Sequence, residues 1–220
     1  MAVTIDNVTI SKVCVIDDDE TSRETMQLTV EDTKLVPISQ SDSVFDLEAY
    51  LSQLRSKADA IVTDHHLRKR KNYFPVNGAN FVYRCYDQKI PSVLVTRYEQ
   101  ADIDEIRKFR NKIPTILTPA EFTPDSLLMG LETCIREFNG VLTPIRKSWR
   151  TLVRVDDVST KSNFFVVIPA WNKNEMISLN KNDLPEVLRE MIKPDMRLHA
   201  NVNIGAEHAN ELFFTDWEVK

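Results

Sequence analysis

Short apolar runs rich in β-branched residues alternate with longer amphipathic stretches through the first 140 residues of the chain. The runs cover residues 12–16, 34–38, 60–63, 92–96 and 115–117. They are nearly continuous in hydrophobicity rather than alternating, as expected of strands covered on both faces of a parallel sheet. Between them Val44, Leu47, Tyr50, Leu51 and Leu54 recur at helical spacing, as do Leu127, Leu131, Cys134, Ile135 and Phe138. Thr123-Pro124 offers the second stretch an N-cap and a proline at its first helical position. The pattern predicts five βα units, an α/β fold with helices on both faces of the sheet.

The rhythm changes after Asn139-Gly140, a helix stop followed by the polar, basic and proline-containing VLTPIRKSWR. This places a boundary near residue 143: a first domain over 1–142, a linker over 143–150 and a second domain over 151–220. Strands are expected at 152–158, 164–170 and 176–179, then a helix over 184–191, then strands at 197–204 and 212–217. The helix rests on Leu184, Val187, Leu188 and Met191, which fall at i, i+3, i+4 and i+7. Three strands, a helix and two strands in about 70 residues match a small five-stranded barrel of OB type, whose helix plugs one end.

Composition narrows the chemistry. Gly78, Gly130, Gly140 and Gly205 are the only glycines, and no glycine-loop nucleotide motif can be written with them. Cys14, Cys85 and Cys134 are odd in number, far apart and without a C-x-x-C, which argues against a disulfide framework and a cysteine zinc site. The N-terminus has no leader pattern and no apolar run is long enough to span a bilayer, so a cytoplasmic protein with no membrane partner is expected. No Ser-His-Asp or Cys-His arrangement has a local motif behind it, and the expectation is of a protein that is not an enzyme.

The charge is most informative where it clusters. Asp17, Asp18, Asp19 and Glu20 directly follow Val13-Cys14-Val15-Ile16, placing carboxylates at the C-terminal edge of the first strand, where open α/β sheets bind ligands. Aspartates before Thr21-Ser22 are also good helix caps, which needs no function. Asp64 ends the third strand run and Thr96 the fourth, and in a parallel sheet these ends converge on one edge. Crowded carboxylates raise one another's pKa unless a cation is present, so the pocket suits a hard divalent ion with oxygen ligands.

On these residues the segment 10–140 resembles the response-regulator receiver (CheY-like) family: an acid pair in VCVIDDDE, an aspartate in AIVTDHH and a hydroxyl in SVLVTRY. The resemblance implies a doubly wound, flavodoxin-like (βα)5 domain with Asp64 as phosphoacceptor. It implies Mg²⁺ held by Asp18, Asp64 and the backbone carbonyl of His66, with Asp17 acting through water, and Thr96 contacting the phosphoryl group. It further implies a histidine kinase or other phosphodonor as partner, and homodimers through the fourth-helix face at about 101–112. The chain departs from the family at three places. Thr118-Pro119 stands where the family has Lys-Pro, Thr115 where it has an aromatic switch residue, and HHLRKRKNYFPVNG is longer than the usual loop before the glycine aligned with Gly78. These departures leave open an atypical pseudo-receiver, a docking scaffold that is never phosphorylated. The basic run Arg68-Lys69-Arg70-Lys71 either restores positive charge near the pocket or is a solvated loop.

In the second domain LPEVLREMIKPDMRLHANVNIG resembles the helix-to-strand passage of S1/OB-type barrels. Such barrels often bind single-stranded nucleic acid with basic grooves and stacking aromatics, and Phe164, Phe165, Trp171, Phe213, Phe214 and Trp217 are present. Residues 146–220 nevertheless carry 11 Lys and Arg against 11 Asp and Glu, so a protein partner is expected ahead of nucleic acid. His65-His66, His199 and His208 are read as structural, and Cys14 and Cys85 as core.

Overall fold

The computed structural model describes residues 2–97, 100–158 and 160–219. In chain order its elements are β1 (Val3–Ile5), β2 (Val8–Ile10), β3 (Lys12–Ile16), α1 (Glu20–Asp32), β4 (Val36–Ser39), α2 (Leu47–Lys57), β5 (Ala60–Asp64), α3 (Gly78–Asp87), β6 (Ser92–Val95), α4 (Gln100–Arg107), β7 (Thr115–Leu117) and α5 (Pro124–Phe138). Then follow β8 (Trp149–Asp157), β9 (Asn163–Ile168), β10 (Asn172–Asn180), α6 (Glu186–Met191), β11 (Arg197–Val202) and β12 (Phe214–Val219). They fall into two compact units, residues 1–99 with 112–141, and residues 100–111 with 142–220.

The first unit is built on a parallel sheet of order β4-β3-β5-β6-β7, the 2-1-3-4-5 sequence of a doubly wound, receiver-like α/β fold. Val13, Val15, Ala60, Val62, Val93 and Val95 pack with Met26 and Val30 of α1 and Leu127, Leu131 and Ile135 of α5. Cys14, Ile16 and Ile61 turn the other way and join Tyr50, Leu51 and Leu54 of α2 and Phe81 and Cys85 of α3 in a second core. Neighbouring residues of one strand therefore feed opposite cores, and this is why the strand segments read as unbroken apolar runs. Helices α1, α2 and α5 start where short polar side chains accept backbone N–H groups: Asp19 from Ser22, Asp46 from Ala49, and Thr123 from Ser126 in a capping box beside Pro124.

The N-terminal hairpin β1-β2 is an addition to the expected elements. Its register pairs Ile5 with Val8 across Asp6 and Asn7, both at positive φ (44° and 68°), the geometry of a two-residue type I′ turn. Val3, Ile5 and Ile10 join the core beneath α1 and α5.

The second unit holds an antiparallel sheet of order β10-β9-β8-β11-β12. Alternate residues of β8, β9, β10 and β11, including Val153, Val155, Phe164, Val166, Leu179, Leu198 and Val202, form one core with Leu184 and Leu188, and Phe214 and Trp217 of β12 pack against it. Among the described residues no ladder joins β10 to β12, so the expected barrel is seen as an open five-stranded sheet. The helix is shorter than its periodicity suggested: Lys181–Asp183 forms a 3₁₀ turn, Pro185 caps the helix, and it stops before Pro194. Proline is tolerated at a helix start but forces the residue before it out of the helical region.

Two expected boundaries shift. Trp149 and Arg150, assigned to the linker, already pair with Val202 and Asn201 in the sheet. Residues 100–111, assigned to the first domain, group with the second unit. The buried Arg107 guanidinium donates to the carbonyls of Ser178 (3.1 Å) and Ala209 (3.3 Å), and Arg146 donates to those of Arg110 (2.6 Å) and Asn111 (3.0 Å). Side-chain ties of this kind across 35 to 102 residues of sequence leave no trace in local periodicity. Among the described residues no helix is long and apolar enough to cross a membrane.

Candidate functional site

The C-terminal edge of the parallel sheet opens into a cavity of about 720 Å³ in the first unit. Asp17 and Asp18 reach it because β3 ends at Ile16 and the chain turns there into α1, and Asp64 because it is the last residue of β5. His66 lines the same cavity, as do Lys69 and Arg97. Thr96 lies between two lining residues, Val95 and Arg97, with its side chain buried and its N–H donating to the Leu117 carbonyl (2.9 Å).

Each carboxylate has one oxygen held by a backbone N–H: Asp17 by Asp19 (2.8 Å), Asp18 by Arg70 (2.7 Å) and Asp64 by His66 (2.8 Å). Asp17 is the most deeply set, only 4% exposed. Burial pushes its carboxyl up to about 7, the Asp19 N–H pulls the other way, and the charges of Asp64, Asp18 and Asp19 push it higher still. Burial also raises Asp64, against the hydrogen bonds from the His66 and His65 backbone. Asp19 is a helix cap instead, and its bonds from Ser22 hold it below the usual carboxylate range. The donor set that Asp17, Asp18, Asp64 and the His66 carbonyl offer is all oxygen, and such a set fits Mg²⁺.

Gly78 explains how the loop after Asp64 closes. Its N–H donates to the His65 carbonyl (2.8 Å), and a Cβ at this position would stand 1.9 Å from the Asp64 carbonyl oxygen. Only glycine fits so close to the backbone that carries the acid.

The positions that depart from the receiver pattern take local partners. The Thr118 N–H and hydroxyl both donate to Glu121 Oε2 at 2.8 Å, and these bonds hold Glu121 below its ordinary value. Thr115 donates to the Gly130 carbonyl of α5 (3.3 Å), and its methyl group fills the space a Cβ at Gly130 would need. The basic run is exposed throughout, yet its members divide: Lys69 faces the acidic cavity, while Arg70 pins the loop through its N–H to Asp18 and its guanidinium to Ser41 O (3.3 Å).

Sequence reasoning passed over Arg23. Its buried guanidinium donates to the Asp17 carbonyl (2.7 Å) and to Ser39 Oγ (3.2 Å), bracing the acidic turn from below. The available signal is its place four residues after Asp19, one turn into α1. The His65 and His66 rings lie 5.0 Å apart, His65 fully buried.

No family model and no curated protein matches the chain. Solved structures similar to it include a response regulator receiver domain protein from Clostridium thermocellum (18% identity, TM-score 0.45, covering 60% of this chain and 100% of that one). A Francisella response regulator receiver domain (18%, 0.40, 58% and 98%) and a chemotaxis response regulator of Vibrio cholerae (19%, 0.39, 57% and 98%) are others. The receiver-like fold of the first unit rests on its own strand order.

Proposed function

We propose that the chain is a response-regulator-like signalling protein: Asp64 accepts a phosphoryl group in an Mg²⁺-dependent reaction, and the second unit is the output that binds a macromolecular partner. The observation that carries this reading is the shared cavity of Asp17, Asp18 and Asp64, each with one oxygen held by a backbone N–H. Asp18, Asp64 and the His66 carbonyl would hold the ion, with Asp17 acting through water. When bound, it supplies the charge neutralisation that phosphoryl transfer to a carboxylate demands.

The chain's own residues do the rest. The His66 N–H fixes one Asp64 oxygen and so orients the other, which forms the new bond to phosphorus. The bond from phosphorus to the donor, a phosphohistidine or an acyl phosphate, breaks as its electron pair leaves with the donor. Thr96 donates its hydroxyl to a phosphoryl oxygen. Lys69 and Arg97 contribute positive charge to a cavity in which Thr118 offers none. No substrate is turned over, so the protein is a switch rather than an enzyme, and the place for it is the cytoplasm.

The second unit we read as a partly open OB-like barrel whose partner is a protein ahead of nucleic acid, since its cations and anions balance. The rival reading, a pseudo-receiver scaffold independent of phosphorylation, draws on one observation: Thr118 is committed to Glu121 and has no charge to couple a phosphoryl group to the rest of the fold. Incubation of the full chain with Mg²⁺ and acetyl phosphate or beryllofluoride, read by intact mass and amide exchange, separates the two. One phosphoryl adduct, lost in Asp64→Asn, and protection around Asp64 are expected. No adduct and no protection would overturn the switch and leave the scaffold reading standing.

A further inference from the structure

The long loop between β5 and α3 also shapes a second concavity, of about 380 Å³, away from the acids. Four apolar residues, Val44, Phe45, Phe74 and Pro75, line it together with the cations Arg68 and Lys71. Among the described residues no carboxylate lines it. Phe45 is 79% exposed, the most exposed large apolar side chain among the described residues. A phenylalanine so placed is unexplained by the core and is the kind of anchor that interfaces bury.

The groove is preformed. The Val44 N–H donates to the Tyr73 carbonyl (2.8 Å), the Tyr73 hydroxyl donates to the Gln40 carbonyl, and Phe74 packs edge-on against Tyr50 (5.6 Å) and Phe81 (5.0 Å). The loop is further held by Arg70, whose N–H bonds Asp18 and whose guanidinium lies over the Tyr73 ring (5.4 Å). A ligand entering it has little ordering to impose.

We propose that this groove docks an acidic segment of a protein partner carrying one apolar or aromatic side chain. The apolar residue seats against Phe45, Val44 and Phe74, and the flanking carboxylates pair with Arg68 and Lys71. A polynucleotide is the poorer fit. It needs an extended basic track, whereas here two cations share the lining with four apolar residues, in a region whose 17 Lys and Arg are outnumbered by 22 Asp and Glu over residues 1–145. The inference goes beyond the phosphoryl-transfer reading and does not depend on it.

The test uses the full chain and a fluorescein-labelled dodecapeptide of alternating Asp and Glu with a central Leu-Phe, titrated by anisotropy at two salt concentrations. Saturable binding that weakens with salt is expected, with about a tenfold loss in Phe45→Ala and about the same in the double variant Arg68→Glu/Lys71→Glu. These side chains are exposed, and circular dichroism spectra matching the wild type show that the variants fold. Asp64→Asn should bind the peptide as the wild type does, which keeps the result separate from the phosphoacceptor question. Absence of binding, undiminished binding in both variants, or a twelve-residue oligothymidylate binding as tightly would overturn the proposal.

Discussion

The two sheets bury their strands in opposite ways, and the difference decides where each unit can act. The parallel sheet is covered on both faces, by α1 and α5 on one side and α2 and α3 on the other, so only its strand ends remain for polar chemistry. There the carboxylates collect. The antiparallel sheet feeds a single core, and its other face carries polar pairs such as Arg150 with Glu218 and Asn201 with Asp216. A strand end concentrates a few groups around one small ligand, whereas an open sheet face offers a broad surface suited to a macromolecule. The chain also labels the units: the described tyrosines, Tyr50, Tyr73, Tyr83 and Tyr86, lie in the first and all three tryptophans in the second. Tryptophan emission and tyrosine signals therefore follow the two separately.

The largest expected effect comes from closing the tightest backbone approach in each unit. Gly78→Ala drives a Cβ into the Asp64 carbonyl and should lower the stability of the first unit by about 3 kcal/mol in denaturant unfolding followed by tyrosine signals. Gly205→Ala, with a contact of 2.4 Å to the Pro144 carbonyl, should take about 2 kcal/mol from the transition seen by tryptophan. Each substitution should leave the other probe unmoved. Coincident shifts in both would break the comparison by showing that the units unfold as one.

Next comes pH. Asp17 rises from 3.8 to about 7 on folding, so the folded state favours its neutral form. Its contribution is present below about pH 4 and is lost as pH climbs from there through about 7, a drop confined to the first unit. Asp17→Asn should flatten that drop, and so should Mg²⁺ added to the wild type, because a cation restores the charged form. In the second unit burial raises Asp183 too, but Lys108 at 3.7 Å opposes it, and a smaller drift is expected there. A wild-type profile that ignores Mg²⁺ between pH 6 and 8 would count against the acids as an ion site.

A smaller effect tests a feature that was plain in the sequence. Thr123→Ala removes the α5 cap and should lower the first unit by about 1 kcal/mol in the same unfolding measurement, with Pro124 and the core face intact. That helix was legible because its cap, proline and apolar stripe all lie within one stretch of chain. The same holds for β3 and β7, whose observed ends coincide with their apolar runs, and for Asp17, Asp18 and Asp64, which mark strand ends by position alone. What stayed hidden depends on distant partners. Arg107 draws α4 into the second unit through carbonyls 71 and 102 residues away, Arg23 braces the acidic turn only once α1 forms beside β4, and Lys69 faces the cavity because Arg70 is tied to Asp18.

The hairpin β1-β2 is a different case, since its signal was local but belonged to turn chemistry rather than hydrophobic rhythm. VTIDNVTI repeats one apolar-polar-apolar triplet around Asp6-Asn7, and both turn residues adopt the left-handed conformation. Asparagine tolerates that region better than most residues, and glycine better still. Asn7→Gly should therefore relieve strain at φ 68° and stabilise the first unit by about 0.5 kcal/mol, while tryptophan emission reports no change in the second. Val3, Ile5 and Ile10 tie the hairpin to the core under α1 and α5, so the gain should reach the global transition of that unit. A gain confined to local amide exchange at residues 3–10 would mean that the hairpin frays before the sheet opens, and that the parallel core stands without it.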